Sequence, residues 1–225
     1  PPAAVIVTGR VPTLPGAQIW LLGAGGPLVA KPLSAAKDGA FRIALDGTTE
    51  LVNSLIEATS GGRQLLGVVP MLPRQKSVLD PELTLDTAQL SPGMQNIDVV
   101  STTLALLALT RAKLDKRALT AIPHGSMTDT LIDLHAKLGA PAGDHPALIG
   151  AFGAVQRVVA AGAKTSIAPF ISFNPGSLLN PAFVSATGVD ADNDGAADTS
   201  TGPFDKLLSA AAATFKFKAC YVENK

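Results

Sequence analysis

The chain has a single cysteine, Cys220, in 225 residues. That excludes an intramolecular disulfide framework and any multi-cysteine zinc or iron–sulfur centre, though not export. Aromatic residues are only 4%, so a core has to be built from aliphatic side chains and alanine. Charged residues are also scarce, at 16%, and the 18 basic and 18 acidic side chains cancel. With no net field, neither nucleic acid nor an anionic membrane surface is indicated as a partner. No apolar run reaches the roughly 18 residues that a membrane-crossing helix needs, so no transmembrane helix is expected. A basic-then-apolar leader is missing as well. An opening of Pro1-Pro2-Ala3-Ala4 without Met fits a mature form after cleavage or a trimmed chain, and both stay open. What the chain has in quantity is hydrophobic residues, 47%, with 21 Gly and 17 Pro. That is ample material for a core joined by many turns, with little sign of disorder.

Residues 5 to about 73 read as β-structure. Val5-Ile6-Val7-Thr8 and Gln18-Ile19-Trp20-Leu21-Leu22 are short apolar runs bounded by Gly and Pro. Ala40-Phe41-Arg42-Ile43-Ala44-Leu45 alternates with period two, as a half-buried strand does. Lys37-Asp38-Gly39 ahead of it is a turn signal, because glycine adopts positive φ without strain. Leu55-Ile56-Glu57-Ala58-Thr59 and Leu65-Leu66-Gly67-Val68-Val69 flank Ser60-Gly61-Gly62-Arg63, the pattern of a hairpin. Short strands at this spacing, with almost no helix between them, imply an antiparallel sandwich.

The order Thr8-Gly9-Arg10-Val11, Pro15-Gly16-Ala17-Gln18-Ile19-Trp20-Leu21, Lys37-Asp38-Gly39-Ala40-Phe41 and Ile56-Glu57-Ala58-Thr59-Ser60-Gly61 resembles the carboxypeptidase-regulatory-like, prealbumin-like β-sandwich modules of bacterial surface and lipoprotein-type proteins. The resemblance covers about the first third of the chain. It departs at Glu50-Leu51-Val52-Asn53-Ser54, where the family usually has an aromatic before the penultimate strand. It implies a sandwich and a place outside the cell or on its outer surface, more than it implies an activity.

Pro and polar punctuation through 76–98 (Asp80-Pro81, Ser91-Pro92-Gly93) marks a connector with room for a short helix. Beyond it the period changes to that of helices. Leu104, Leu107, Ala108, Leu114 and Ala118 predict a helix over 103–119. Ser126-Met127-Thr128-Asp129 predicts a second, with Ser126 as its cap and Gly139 as its end. Asp144-His145-Pro146 opens a third, with Leu148, Phe152, Val155 and Val159 as its buried stripe up to Gly162. Pro203 to Ala213 predicts a fourth. Thr214-Phe215-Lys216-Phe217-Lys218-Ala219-Cys220-Tyr221-Val222 alternates as a last strand. The expected fold class is α+β: a β-sandwich over 1–75, a connector over 76–98, a helical domain with an acidic loop over 99–213, and a C-terminal strand within 214–225.

The sharpest chemical signal is Asp190-Ala191-Asp192-Asn193-Asp194-Gly195-Ala196-Ala197-Asp198. Calcium is a hard cation that takes six to eight oxygens, and alternating Asp residues can turn several carboxylates inward while Gly bends the loop. The spacing resembles positions 1, 3, 5, 6 and 9 of an EF-hand loop. Thr201 stands where the twelfth position needs Glu, and no entering helix precedes Gly188-Val189. A free-standing DxDxDG-type loop, as in extracellular calcium-binding repeats, therefore fits better than an EF-hand. The candidate ligands are Asp190, Asp192, Asp194 and Asp198, for Ca²⁺; the plain alternative is a solvated acidic turn.

Other groupings are weaker. His124, Ser126 and Asp129 invite a hydrolase reading, but no G-x-S-x-G elbow accompanies the serine. Gly23-Ala24-Gly25-Gly26 lacks the GK[ST] ending of a phosphate loop and reads as a hairpin turn. Trp20 is either a core side chain or a platform for stacking a sugar. The last strand either completes a sheet of its own chain or adds to a neighbour's, making a homo-oligomer or fibre through 214–222; Cys220 is then a quiet thiol or an intermolecular crosslink. The favoured reading is a non-catalytic extracellular or cell-surface structural or assembly protein, possessing a calcium-stabilised loop. A carbohydrate- or ligand-binding module is the first alternative, a cryptic hydrolase the second.

Overall fold

A computed structural model of the chain describes residues 5–23, 26–45, 53–69, 83–86, 96–141, 143–162, 171–172, 182–183 and 187–219. It is an α+β fold: two sheets in the N-terminal half, followed by four helices. In the first sheet β1 (Val5–Arg10) lies between β5 (Ala40–Leu45), its antiparallel neighbour, and β8 (Leu83–Asp86), a parallel one. The second sheet runs β3 (Gly26–Pro27), β2 (Gln18–Gly23), β6 (Ser54–Ser60), β7 (Arg63–Val69), all antiparallel, with β4 (Leu33–Ser34) also paired to β2. The connector expected over 76–98 thus contributes a strand, and a helix is absent from its described part. Two short strands, β9 (Ile171–Ser172) and β10 (Ala182–Phe183), form a separate pair.

The turns are made where glycine permits. Gly39, at φ 80°, turns the chain into β5, and Gly61 and Gly62, at φ 55° and 78°, join β6 to β7 as a hairpin. In β5 the alternation read from the sequence is realised: Phe41, Ile43 and Leu45 are buried while Arg42 and Ala44 are exposed. β6 and β7 instead bury residues on both faces, and α1 and α3 pack against β7.

The helices are α1 (Val99–Leu114), α2 (His124–Leu138), α3 (Pro146–Gly162) and α4 (Gly202–Ala213). α1 is buried nearly all round, from Ser101 to Thr110 without a break, as a helix packed on every side must be. It touches β7 on one side and the other three helices elsewhere. It starts four residues earlier than the leucine spacing predicts. Asp98 caps it by accepting from Ser101 N at 2.9 Å, while Ser101 Oγ accepts from Asp98 N at 2.8 Å.

That first turn also closes the outer edge of β7. Thr102 Oγ1 accepts from Leu66 N at 2.9 Å, and Ser101 Oγ donates to Leu66 O at 2.7 Å. An open strand edge is thereby occupied by side chains of a helix. Sheets and helices contribute to one continuous apolar core that includes Leu21, Ile56, Leu66, Leu107, Val155 and Leu208. A second tie runs from the start of β6. Asn53, fully buried, donates its amide to Leu119 O at 2.9 Å and Ile122 O at 2.7 Å, holding the 3₁₀ turn Leu119–Ala121.

Two expectations are corrected. Ser126 does not cap α2; the helix begins at His124 behind Pro123, and Ser126 lies inside it with its hydroxyl donated to Lys218 O. Residues 214–219 do not form the C-terminal strand: Thr214 is a turn and 215–219 has no sheet partner. Its backbone is held instead by helix side chains. Arg111 Nη1 donates to Phe215 O at 3.1 Å, and Lys218 N donates to Thr130 Oγ1 at 3.0 Å. The alternation does survive, with Phe215 and Phe217 edge-to-face at 6.4 Å and Lys216 and Lys218 exposed. Cys220, Tyr221 and Val222 lie outside the described residues.

Candidate metal site

The acidic run occupies the loop between β10 and α4, and its backbone is closed before any side chain is considered. Gly188 N donates to Asp198 O at 2.8 Å and Asp198 N to Val189 O at 3.1 Å, so the loop leaves and returns at one point. Val189 and Ala191 are buried and root it in the core. Arg157 of α3 donates Nη2 to Ala191 O at 2.6 Å, a bond between residues 34 apart in sequence. The tip then turns through left-handed backbone at Asn193 (φ 63°) and Gly195 (φ 94°), conformations that Asn and Gly tolerate best.

The carboxylates organise this turn. Asp190 accepts from Asp194 N at 3.0 Å through Oδ1 and from Gly195 N at 3.1 Å through Oδ2. Asp194 Oδ1 accepts from Ala196 N at 2.9 Å. Bent in this way, the loop brings one carboxylate oxygen each from Asp190, Asp192 and Asp194 within 4.8 Å of one another. Two oxygens on opposite sides of a calcium ion, each at about 2.4 Å, stand about 4.8 Å apart. The spacing therefore suits a single hard cation. Asp190 is half-buried, and Asp192 and Asp194 are exposed.

Asp198, the fourth residue expected from the spacing, is outside this cluster. Its Oδ2 accepts from Ala191 N at 3.0 Å and so helps fix the loop's base. Arg157 is the contributor that sequence reasoning missed: its position in the middle of α3 carries no local signal that it supports a loop so far along the chain.

The other groupings are placed as follows. Ser126 Oγ is committed to Lys218 O, and Asp129 is exposed; the side chain of His124 is outside the described residues. Asp133 pairs with Lys137 at 2.7 Å, and these bonds hold its carboxyl below the usual carboxylate range. Gly23 of β2 and Gly26 of β3 are antiparallel partners, as a hairpin reading requires. Trp20 stands half-buried on β2 opposite Glu57. Burial pushes the Glu57 carboxyl up, and its bond from Gln64 Nε2 opposes that only in part. No family model, curated protein or solved structure matches the chain.

Proposed function

We propose that the chain is a non-catalytic structural or assembly module of an extracellular or cell-surface protein, with a calcium ion stabilising its 190–198 loop. In this reading the N-terminal sheets are a prealbumin-like module, a proposal that rests on the motifs of residues 8–61. The observation that supports calcium is the convergence of Asp190, Asp192 and Asp194 on a loop that the backbone has already closed. Such a loop needs little reordering on binding, so its carboxylates need only lose their mutual repulsion to a cation. The missing Glu at Thr201 and the absence of an entering helix among the described residues ahead of the loop favour a site that pins a loop over one that switches a helix pair.

The test is thermal unfolding in calcium, in magnesium and in chelator. Extracellular modules bind calcium with Kd of about 10⁻⁴–10⁻³ M. At about 10 mM calcium that corresponds to roughly 1.4–2.7 kcal/mol of stabilisation. Asp192→Asn is the informative variant, because Asp190, Asp194 and Asp198 also accept backbone bonds of the loop. It is expected to fold as the parent does in chelator and to lose the calcium shift. An equal shift in the variant would remove the assignment.

Self-association through 214–222 belongs to the same proposal, and requires residues 215–219 to leave Arg111, Ser126 and Thr130. Sedimentation of the parent against Ser126→Ala/Thr130→Val tests it. The release variant should associate more, and monomers in both cases would end the idea.

A further inference from the structure

The face of the second sheet that carries Trp20 holds a groove unconnected with the acidic loop. The β2–β6 register sets Gln18 against Thr59 and Trp20 against Glu57, and alternation places all four side chains on one face. With the hairpin residues up to Arg63 they line a groove of about 510 Å³, within the range of small-molecule sites. Trp20 packs its inner part on the core, which fixes the ring. Gln64 occupies Oε1 of Glu57 and leaves Oε2 without a partner among the described residues. Gln18 gives Nε2 to Ser34 Oγ at 2.9 Å, and its carbonyl oxygen has no partner among the described residues.

The far end of the groove is bordered by Arg63 and is rigid. Arg63, paired with Ser60 on the last rung of the hairpin, makes no ion pair among the described residues. The hairpin is braced by the end of α3: a Cβ at Gly162 would stand 2.8 Å from Gly62 O, so the two backbones meet there. From Glu57 to Ser60 the strand rises about 10 Å, enough for two sugar rings end to end. An indole face stacks on the apolar face of a pyranose, carboxylate and amide oxygens take its hydroxyls, and a guanidinium pairs with a carboxylate.

We propose that this groove binds an oligosaccharide bearing carboxylates. Trp20 is the stacking platform, Gln18, Glu57 and Thr59 bond ring hydroxyls, and Arg63 receives the carboxylate. The site is independent of the calcium loop, so it is measured in chelator.

Trp20 is the only tryptophan of the chain, and its emission reports on the groove directly. The full chain is titrated with an oligogalacturonate and with a neutral glucan oligosaccharide of the same length. A saturable emission change, tighter for the acidic ligand, is expected. Arg63→Gln should weaken acidic binding about tenfold and erase the preference. Trp20→Phe, and Thr59→Val should the first fail to fold, should weaken binding of both ligands by calorimetry. No saturable binding of either ligand overturns the site. Equal affinity for both, or unchanged affinity in a folded Arg63→Gln, overturns the acidic class.

Discussion

Replacing Asn53 perturbs the tie between the sheets and the helices at one buried side chain. Its amide makes two bonds, at 2.9 and 2.7 Å, to the carbonyls of Leu119 and Ile122, residues that are both buried. Its backbone sits at φ 48°, in the left-handed region. Two contributions can therefore be separated. Asn53→Gly keeps the backbone comfortable and removes both amide bonds, so that Leu119 O keeps only its bond from Ile122 N at 3.1 Å and Ile122 O loses this donor, at roughly 1–1.5 kcal/mol per lost bond, about 2–3 kcal/mol together. Asn53→Ala adds the strain of a Cβ in left-handed backbone, a further ~1 kcal/mol. Asn53→Asp sets a carboxylate against two carbonyl oxygens and should be the worst of the three. Urea unfolding checks the series: with a slope of about 2–3 kcal/mol per M, the glycine variant should unfold about 1 M earlier. A glycine variant within about 0.5 kcal/mol of the parent would refute the role of the amide. Alanine matching glycine would refute the backbone contribution.

Thr102→Val keeps the shape of α1 and leaves Leu66 N–H, now bonded at 2.9 Å, without an acceptor; a loss of roughly 1–3 kcal/mol in the same urea assay is expected. Gly162→Ala drives a methyl to within 2.8 Å of Gly62 O, so α3 must shift, and a midpoint lowered by roughly 1–3 kcal/mol is expected. Glu57 supplies a pH dependence. Its folded carboxyl binds a proton more readily than the unfolded one, so the native state holds more protons in the interval between the two pKa values. Stability therefore falls as pH rises through that interval. Glu57→Gln keeps an acceptor for Gln64 without the charge, and should be more stable than the parent at neutral pH, with the advantage shrinking as pH falls into the carboxylate range. Unfolding midpoints across pH decide this.

Most strands were legible because two signals agreed, a period-two pattern and a turn glycine: Phe41, Ile43 and Leu45 behind Gly39 are the clearest instance. β8 was not legible. Its four residues are too few for a period to show, and its parallel pairing to β1 is set by distant chain. The start of α1 was hidden by the β-branched residues Val99, Val100, Thr102 and Thr103, which favour strands. The Asp98–Ser101 cap overrides them. The last segment shows the limit of periodicity: 215–219 alternates, but hydroxyls of α2 took the backbone bonds that a sheet would have made.

The acidic loop divides in the same way. The Asp-x-Asp-x-Asp-Gly spacing was enough to expect the carboxylates of Asp190, Asp192 and Asp194 to lie close together, as they do, because a short loop's geometry is local. Asp198 shares the spacing but closes the loop's base through Ala191 N, and Arg157 reaches the loop from another helix. Neither role has a local signature.

Calorimetric titration of the chelator-treated chain with calcium tests the central proposal most directly. One saturable site with Kd of about 10⁻⁴–10⁻³ M, lost in Asp192→Asn and not reproduced by magnesium, is predicted. No saturable heat up to about 10 mM calcium, or the same binding in parent and variant, would contradict it.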